Sequence, residues 1–475
     1  MTSIKKNYTY QVIYEILIII VPLITAPYIT RTLGANKLGI YSYAISIVNI
    51  FLAFARLGVV NHGSRTIARH SRNRKERSKY FWSIYTVQIL MSLIASILYI
   101  IYILFFLVEY KIIYIILTFM VTSHILDISW AYMGMENFKK TVIRNIFVKI
   151  LSLSLILTLV KSKNDLWIYT AIMTGCIIVG HMTLWIGFMN HFDFIKPNKK
   201  NILKEFKSMF VLFIPSIAVI IYTIMDKVML GVISGTLQVG YYEYSSAIAS
   251  IPLGFITSFG GVILPRMSNM QAEGVDEDIK RNFKHNSLLF MVFLSVAMMY
   301  GLISISKELI PIYYGKEFMP CILLLTLSSI KLPFMAWANV IRSECLIPNN
   351  QDKEFIYSLF SGAGVNLSIN FILIPKYGAV GAALGTIVAE FVVCLVQTIY
   401  VRREILLGKI LLQSIPFLGF GMVMFLVVRR VASLFEKLSI INLVLEIIIG
   451  AIVYLLCSSI YYYFLKKSII IKEFK

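Results

Sequence analysis

Seven of the charged side chains in the long apolar stretches of this sequence are candidate functional residues, and their types decide what chemistry they could support. Four are basic and three are acidic: Arg31, Arg56, Lys227, Lys331, Asp127, Asp226 and Glu390. A charge in the hydrocarbon layer of a membrane is costly unless it faces a cavity or a partner, so each is a candidate functional residue. The basic residues suit anion binding, and the acidic residues suit binding of a proton or a sodium ion.

Arg31 and Arg56 are the leading candidates for phosphate binding. A guanidinium group offers a rigid fork of donors that matches a phosphate bidentately, and the attraction is stronger at low dielectric than in water. Arg56 and Lys331 lie too deep in their apolar stretches to reach the interface easily, so we expect them to face a watery cavity. Lys227 is a further candidate. The alternative for Arg31 is that its side chain extends to the membrane interface.

Asp127, Asp226 and Glu390 are candidates for ion coupling. Protonation would neutralise such an acid during a transport cycle. The alternative for Asp226 is a structural ion pair with an opposite charge on a neighbouring helix. His124 and His181 are the lone histidines of their apolar stretches, which is more typical of packing or helix–helix hydrogen bonding than of a proton relay.

The elements that position these residues are predicted to be transmembrane helices. The chain is 58% hydrophobic and 15% charged, against roughly 45–50% and about 25% in soluble domains. About 20 apolar residues cross a hydrocarbon core of about 30 Å. The sequence predicts an all-α, polytopic membrane protein with fourteen spans, near 9–31, 39–61, 80–108, 112–134, 142–161, 166–189, 206–231, 240–264, 286–306, 319–341, 355–375, 378–401, 410–428 and 440–465.

The distribution of basic residues predicts the orientation of these spans. Lys and Arg outnumber Asp and Glu by 45 to 24, and most of them fall in alternate loops that face one side. The positive-inside rule then predicts that both termini lie in the cytoplasm. The basic stretch 65–79 sets topology and could also bind anionic membrane lipids. Because the charge is explained in this way, nucleic acid is not predicted as a partner.

An internal duplication is predicted from two similar segments, 22–50 and 215–251. Leu230-Gly231 resembles Leu33-Gly34, and the motif at 240–242 resembles that at 39–41, with a few extra residues between them in the second copy. Because six helices separate the copies, the halves would be parallel repeats related by an axis along the membrane normal. The predicted domains are an N-terminal lobe at 1–205, a C-terminal lobe at 206–405 and two accessory helices at 406–475.

The sequence lacks the common motifs of catalysis and of cofactor binding. It contains no HExxH, GxSxG or Walker motif, and its five cysteines form no CxxC pair. No predicted loop exceeds about 25 residues by the span lengths expected for a bilayer, which leaves little room for a soluble catalytic domain. The sequence therefore predicts a protein that is not an enzyme and that needs no cofactor or metal.

Several motifs give the chain a family resemblance. They are Pro22–Gly34, Leu38–Tyr41, Gly63–Arg69, Asp226–Gly231 and Ile374–Ala383. Together they resemble Wzx-type polysaccharide flippases of the multidrug/oligosaccharidyl-lipid/polysaccharide exporter superfamily. The resemblance spans nearly the whole chain, although each motif alone is only moderately specific.

The resemblance implies a V-shaped pair of six-helix lobes with a central cationic cavity and alternating access. The implied substrate is an undecaprenyl-diphosphate-linked oligosaccharide that moves outward across the cytoplasmic membrane. By position, Arg31 and Arg56 match the basic residues that family members present to the cavity. The implied partners are this lipid-linked glycan, membrane lipids, a polysaccharide polymerase and a chain-length regulator.

Three other functions are compatible with parts of the sequence. A lipid II flippase of the same superfamily would differ mainly in the sugar. A drug/cation antiporter would be expected to have an acid-rich cavity, and the predicted cations argue against it. A membrane-embedded polysaccharide polymerase would place catalytic residues in large external loops, which the sequence does not predict.

Overall fold

The computed structural model describes the backbone of residues 4–107, 109–435 and 438–473. The side chain of Pro215, which opens the predicted second repeat, lies outside the described residues. Across the described ranges every regular element is helical, which confirms the predicted all-α class. The helices are α1 Ile4–Arg56, α2 Val59–Arg69, α3 Arg74–Phe106, α4 Lys111–Ser123, α5 Ser129–Gly134, α6 Phe138–Leu159, α7 Leu166–Trp185, α8 Lys199–Ser234, α9 Thr236–Ala272, α10 Glu277–Tyr313, α11 Cys321–Ile330, α12 Leu332–Ile341, α13 Asp352–Tyr377, α14 Ala379–Val401, α15 Leu407–Ala432 and α16 Ile440–Glu473.

Helix α1 contains a chain reversal at Gly34, where φ is 77° and ψ is 171°. The hydroxyl of Tyr28 donates to the Val160 carbonyl at 2.6 Å, and the ring of Tyr41 contacts the ring of Tyr169 with centroids 4.9 Å apart. A straight helix would separate residues 28 and 41 by about 20 Å. Tyr28 instead contacts the turn between α6 and α7, and Tyr41 contacts the first turn of α7. Helix α1 therefore forms two spans joined at the glycine, whose positive φ is unfavourable for other residues.

Among the described residues, twelve helical stretches are long and apolar enough to cross a membrane. The first of these, Ile20–Arg69, contains the reversal at Gly34 and therefore counts as two spans. Helix α8 has 36 residues, which is long enough to span the hydrocarbon core of about 30 Å. The chain is a multi-pass membrane protein, and the prediction of about fourteen spans is confirmed.

The chain forms two compact units, Met1–Val228 and Met229–Lys475, which divide within α8. In the first unit α1 packs against α3 and α6, and α4 packs against α7. In the second unit α13 and α14 form a close pair, while α15 and α16 pack against each other and against α10. The lobes predicted at 1–205, 206–405 and 406–475 stay a prediction.

The backbone revises the register of the predicted duplication. Gly235 has φ 87° and ψ 164°, nearly the conformation of Gly34, and it also joins two helices. Gly34 and Gly235 are 201 residues apart, as are Gly39 and Gly240. The two motifs therefore align without extra residues, and the predicted match of Gly231 with Gly34 is wrong.

A buried cluster of aromatic rings connects α3, α5 and the segment after α7 in the first unit. The Phe81 ring lies 5.2 Å from the Trp130 ring and 4.7 Å from the rings of Phe188 and Phe192, measured between centroids. All four side chains are buried. Such ring pairs add to the stability gained from their apolar burial, so the segment after α7 is fixed against α3 and α5.

Basic residues of the stretch 65–79 hold the same segment from outside. Arg77 donates to the His191 carbonyl at 2.6 Å, and Arg74 forms a 2.7 Å ion pair with Asp193. Partial burial, together with the Lys140 and Arg77 cations, lowers the pKa of His191. The neutral ring is therefore favoured at pH 7, and the segment depends on the arginine contacts rather than on a histidine charge.

Gly63 in α2 and Gly134 in α5 allow these two helices to pack closely, and this contact provides a stability test. A Cβ atom at Gly63 would lie 2.4 Å from Cε3 of Trp130. We expect Gly63→Ala to destabilise the protein by about 1–3 kcal/mol because overpacking a close contact forces neighbours to move. Gly175→Ala in α7 is the control, since its added Cβ meets nothing within 4 Å. Equal thermal midpoints for the two purified variants in detergent would contradict this account of the contact.

Candidate functional site

The fourth span of the first unit is broken in its middle. Helix α4 ends at Ser123, a 3₁₀ turn covers His124–Leu126, and Asp127 is extended with ψ 100° before α5 begins at Ser129. A break in a membrane helix frees backbone groups that lipid cannot satisfy. Broken helices in transporters often form ion or substrate sites for this reason.

Side chains from neighbouring helices satisfy the freed carbonyls. The fully buried amide of Gln88 donates to the carbonyls of His124 at 2.7 Å and of Asp127 at 2.8 Å. Its oxygen accepts from the Trp130 indole at 2.9 Å. The indole of Trp185 on α7 donates to the carbonyl of the last residue in the turn at 2.9 Å. The break is therefore stabilised by specific hydrogen bonds from neighbouring helices.

Asp127 and His181 meet at this break. Asp127 Oδ1 accepts from the Ser129 backbone N–H at 3.0 Å, and Oδ2 lies 3.8 Å from His181 Nε2. The other ring nitrogen, Nδ1, lies 3.0 Å from the Ser123 carbonyl. The Asp127 side chain is only 18% exposed and the His181 side chain only 13% exposed. The acid predicted from sequence thus has a titratable partner on another helix.

Three further charged or titratable groups surround this pair. His124 is buried, with Nδ1 3.3 Å from the Ser92 hydroxyl. Arg56 lies within electrostatic range of both histidine rings, and Arg144 lies within range of His181. We call Asp127, His124, His181, Arg56 and Arg144 the helix-break cluster.

Arg56 is the exposed cation of this cluster. It is the last residue of α1 and its side chain is exposed. It lies about 22 Å along the helix from Tyr41, within the depth of a core of about 30 Å. No hydrogen bond or ion pair holds its guanidinium group among the residues that the structure describes. A charge at this depth is tolerated where water or an anion solvates it.

Arg31 is also exposed, but it lies elsewhere in the first unit. It precedes Gly34 by three residues and follows Tyr28, which contacts the turn between α6 and α7, by three residues. Arg56 lies one span length away from that turn. The structure therefore brings Arg56 and Asp127 into one cluster and leaves Arg31 outside it.

In the fourth span of the second unit, Lys331 lies at the junction of α11 and α12 with helical dihedrals, φ −69° and ψ −19°, so the chain is not extended there as it is at Asp127. A π-helical turn follows at Arg342–Leu346, and such turns are frequent at functional sites. Glu390 lies on α14, which packs against both α11 and α12. The rings of Phe334 and Phe391 are 5.4 Å apart at that packing contact. Lys331 and Glu390 are both buried.

Asp226 and Lys227 are neighbours in α8, at the end of the first unit. Asp226 is buried and Lys227 is half-buried. Both side chains interact with other residues, so their predicted roles in ion coupling and in anion binding stay predictions.

Sequence reasoning did not assign Gln88, His124 or His181 to a site. His124 precedes Asp127 by three residues in a helical stretch, which is a usable signal of proximity. Gln88 and His181 lie on other helices, and only the packing of α3 and α7 around the break brings them to Asp127.

Comparison with known families places the chain. A family model described as polysaccharide biosynthesis protein matches residues 4–271, more than half of the sequence. The chain belongs to the polysaccharide biosynthesis protein family. The match covers the first unit from residue 4 onward, including the helix-break cluster, and extends past the turn at Gly235.

A relative in this family extends the match along the chain. The putative O-antigen transporter of Escherichia coli strain K12 is 24% identical over 421 residues, which cover 85% of this chain and 98% of the relative. The similarity is therefore nearly end to end.

Two solved structures show the same fold. The lipid II flippase MurJ, in an inward-closed conformation, aligns with a TM-score of 0.76 at 20% identity and covers 96% of this chain and 99% of its own. An inward-facing multidrug resistance transporter of the MATE family aligns with a TM-score of 0.59 at 11% identity, over 83% of this chain and 95% of its own. These alignments show the fold, and the family match and the O-antigen transporter relative confirm the predicted resemblance to Wzx-type flippases.

Proposed function

We propose that this protein is a flippase that moves lipid-linked oligosaccharides across a membrane for the synthesis of cell-surface polysaccharide. The observation that carries the proposal is the nearly end-to-end similarity to the putative O-antigen transporter within the polysaccharide biosynthesis protein family. The multi-pass helical fold supports a transport role, and the relatives are transporters rather than enzymes.

The proposed substrate is an undecaprenyl-diphosphate-linked repeat unit that leaves the cytoplasmic side by alternating access. The proposed location is a bacterial cell membrane. The basic residues concentrated in alternate loops favour an orientation with both termini in the cytoplasm. A polysaccharide polymerase and a chain-length regulator are the proposed protein partners, because they act on the product of such a flippase. The polyprenyl tail stays in contact with membrane lipids.

Within this proposal, the cations bind the diphosphate. Arg56 supports this role best, because its guanidinium is exposed at membrane depth and matches phosphate oxygens bidentately. Arg31, Lys227 and Lys331 are proposed as further anion contacts at other points of the path. Asp127, Asp226 and Glu390 are the proposed positions for ion coupling.

A lipid II flippase is the second candidate, and the observation that favours it is the likeness to MurJ. At 20% identity that likeness concerns the fold, while the overlap with the putative O-antigen transporter concerns the sequence. Multidrug export is less favoured because an exposed arginine at membrane depth would repel cationic drugs.

Complementation in three bacterial strains tests the proposal. The first lacks its polysaccharide flippase, the second is depleted of its lipid II flippase, and the third lacks its drug exporters. We expect the protein to restore surface glycan in the first strain, without rescue of growth in the second or of drug resistance in the third. Rescue of the second strain alone would favour lipid II, and rescue of the third alone would favour drug export.

A further inference from the structure

We propose that His181 and Asp127 together bind one exchangeable proton, and that this proton is the coupling ion of the transport cycle. The inference rests on the proposed flippase function and deepens it by naming the ion and its site. It follows from the geometry of two side chains on different helices that meet at the broken span.

The hydrogen bonds of His181 determine which ring nitrogen is available. Nδ1 lies 3.0 Å from the Ser123 carbonyl, which can only accept, so Nδ1 carries the hydrogen in the neutral ring. Nε2 then has a lone pair that points toward Asp127 Oδ2 at 3.8 Å. Two acceptors face each other across this gap, and a proton is the group that would bind to both.

The proton comes from water and binds to Nε2 without any change in oxidation state. It converts an unfavourable contact between two lone pairs into a charge-assisted hydrogen bond. Such bonds are about 2.7–2.9 Å between N and O, so the gap of 3.8 Å must shorten. Because Asp127 is extended between two helical pieces while His181 is on α7, proton binding would draw α7 toward the break.

The network around the break would transmit this movement. Trp185 lies four residues after His181 on α7 and donates to the Leu126 carbonyl beside Asp127. Gln88 bonds the carbonyl of Asp127 itself. A change in the distance between α7 and the break therefore alters hydrogen bonds that connect three helices.

Other charged or polar groups lie near the pair on each neighbouring element. They are Arg56 from α1, Gln88 and Ser92 from α3, His124 from the 3₁₀ turn and Arg144 from α6. The arginines remain charged across the physiological range. His124 is the other imidazole among these groups, and its Nδ1 lies beside the Ser92 hydroxyl rather than a carboxylate.

The first test needs no substrate, because Trp130 and Trp185 report on the break. Tryptophan fluorescence of the purified full-length protein would be followed between about pH 5 and 8, where histidine charge changes. We expect a transition in the wild type that disappears in Asp127→Asn and in His181→Gln and weakens in Trp185→Phe. His285→Gln is the control, since this buried histidine bonds Gln413 in the second unit, and it should keep the transition. A transition that survives in both Asp127→Asn and His181→Gln would overturn the proposal.

The second test measures coupling in cells that display surface glycan. Collapse of the pH gradient with nigericin should slow glycan export by the wild type about five-fold or more, at the lower end of typical coupling factors. Asp127→Asn and His181→Gln should export slowly whether or not the gradient is present. Full dependence on the gradient in either variant would overturn the proposal. If the wild type exports no glycan but keeps its fluorescence transition, the proposed function fails while the proton site stands.

Discussion

Arg56→Ala should reduce surface glycan in the complemented strain by about ten-fold or more. A hydrogen bond to a charged group contributes about 1.5–3 kcal/mol, and each 1.4 kcal/mol is about ten-fold in affinity. The guanidinium is exposed at membrane depth beside the helix break, so its loss removes an anion contact rather than a structural one. Arg56→Lys should retain part of the activity, because the charge stays but the bidentate geometry is lost.

Arg69→Ala provides the matched control for this result. Arg69 is also an exposed arginine of the first unit, at the last position of α2, but it lies outside the helix-break cluster. Both variants should reach the membrane in wild-type amounts, measured by immunoblot. If the two variants lose glycan equally, or if Arg56→Ala exports normally, Arg56 is not a substrate contact.

Gln88→Ala should lower the thermal stability of the protein more than any other single change proposed above. The substitution leaves two carbonyls and one indole N–H without their partner. Each buried unsatisfied group costs about 1–3 kcal/mol, and lipid offers no replacement donor. Gln88→Glu should be at least as destabilising as Gln88→Ala, because an ionised carboxylate would place a buried acceptor against two carbonyl oxygens.

Gln397→Ala is the control for Gln88→Ala. Gln397 is equally buried on α14, but its amide donates to a single hydroxyl, that of Ser358, at 3.1 Å. Thermal midpoints in detergent should therefore fall less for Gln397→Ala than for Gln88→Ala. The reverse order would show that the break does not depend on the glutamine network.

The helices were predictable because each is an apolar stretch long enough to cross a bilayer, a property local to the sequence. The turn at Gly34 was also predictable, since a glycine between two such stretches indicates a reversal. The register of the duplication was misassigned because Gly231 and Gly235 are both glycines near the end of a span. Two observations favour Gly235: its positive φ, in contrast to the helical Gly231, and its spacing of 201 residues from Gly34, which Gly39 and Gly240 share. The dihedrals came from the structure, but the spacing was available in the sequence.

The site was predictable only in part, for a physical reason. Asp127 and Arg56 stand out because a charge in an apolar stretch is costly, and that cost is visible in one residue. His181 and Gln88 gain their roles through tertiary contacts across 54 and 39 residues of chain, respectively. Neither residue carries a local signal that distinguishes it from a packing side chain.

The break in the fourth span distinguishes the two halves of the predicted duplication. In the first half Asp127 is extended, with ψ 100°, whereas Lys331 in the fourth span of the second half keeps helical dihedrals. The two copies of this span therefore differ in both backbone and charge. A chimaera that replaced the first copy with the second would carry a nearly continuous helix and a base in place of the acid, so the halves are not interchangeable at this span.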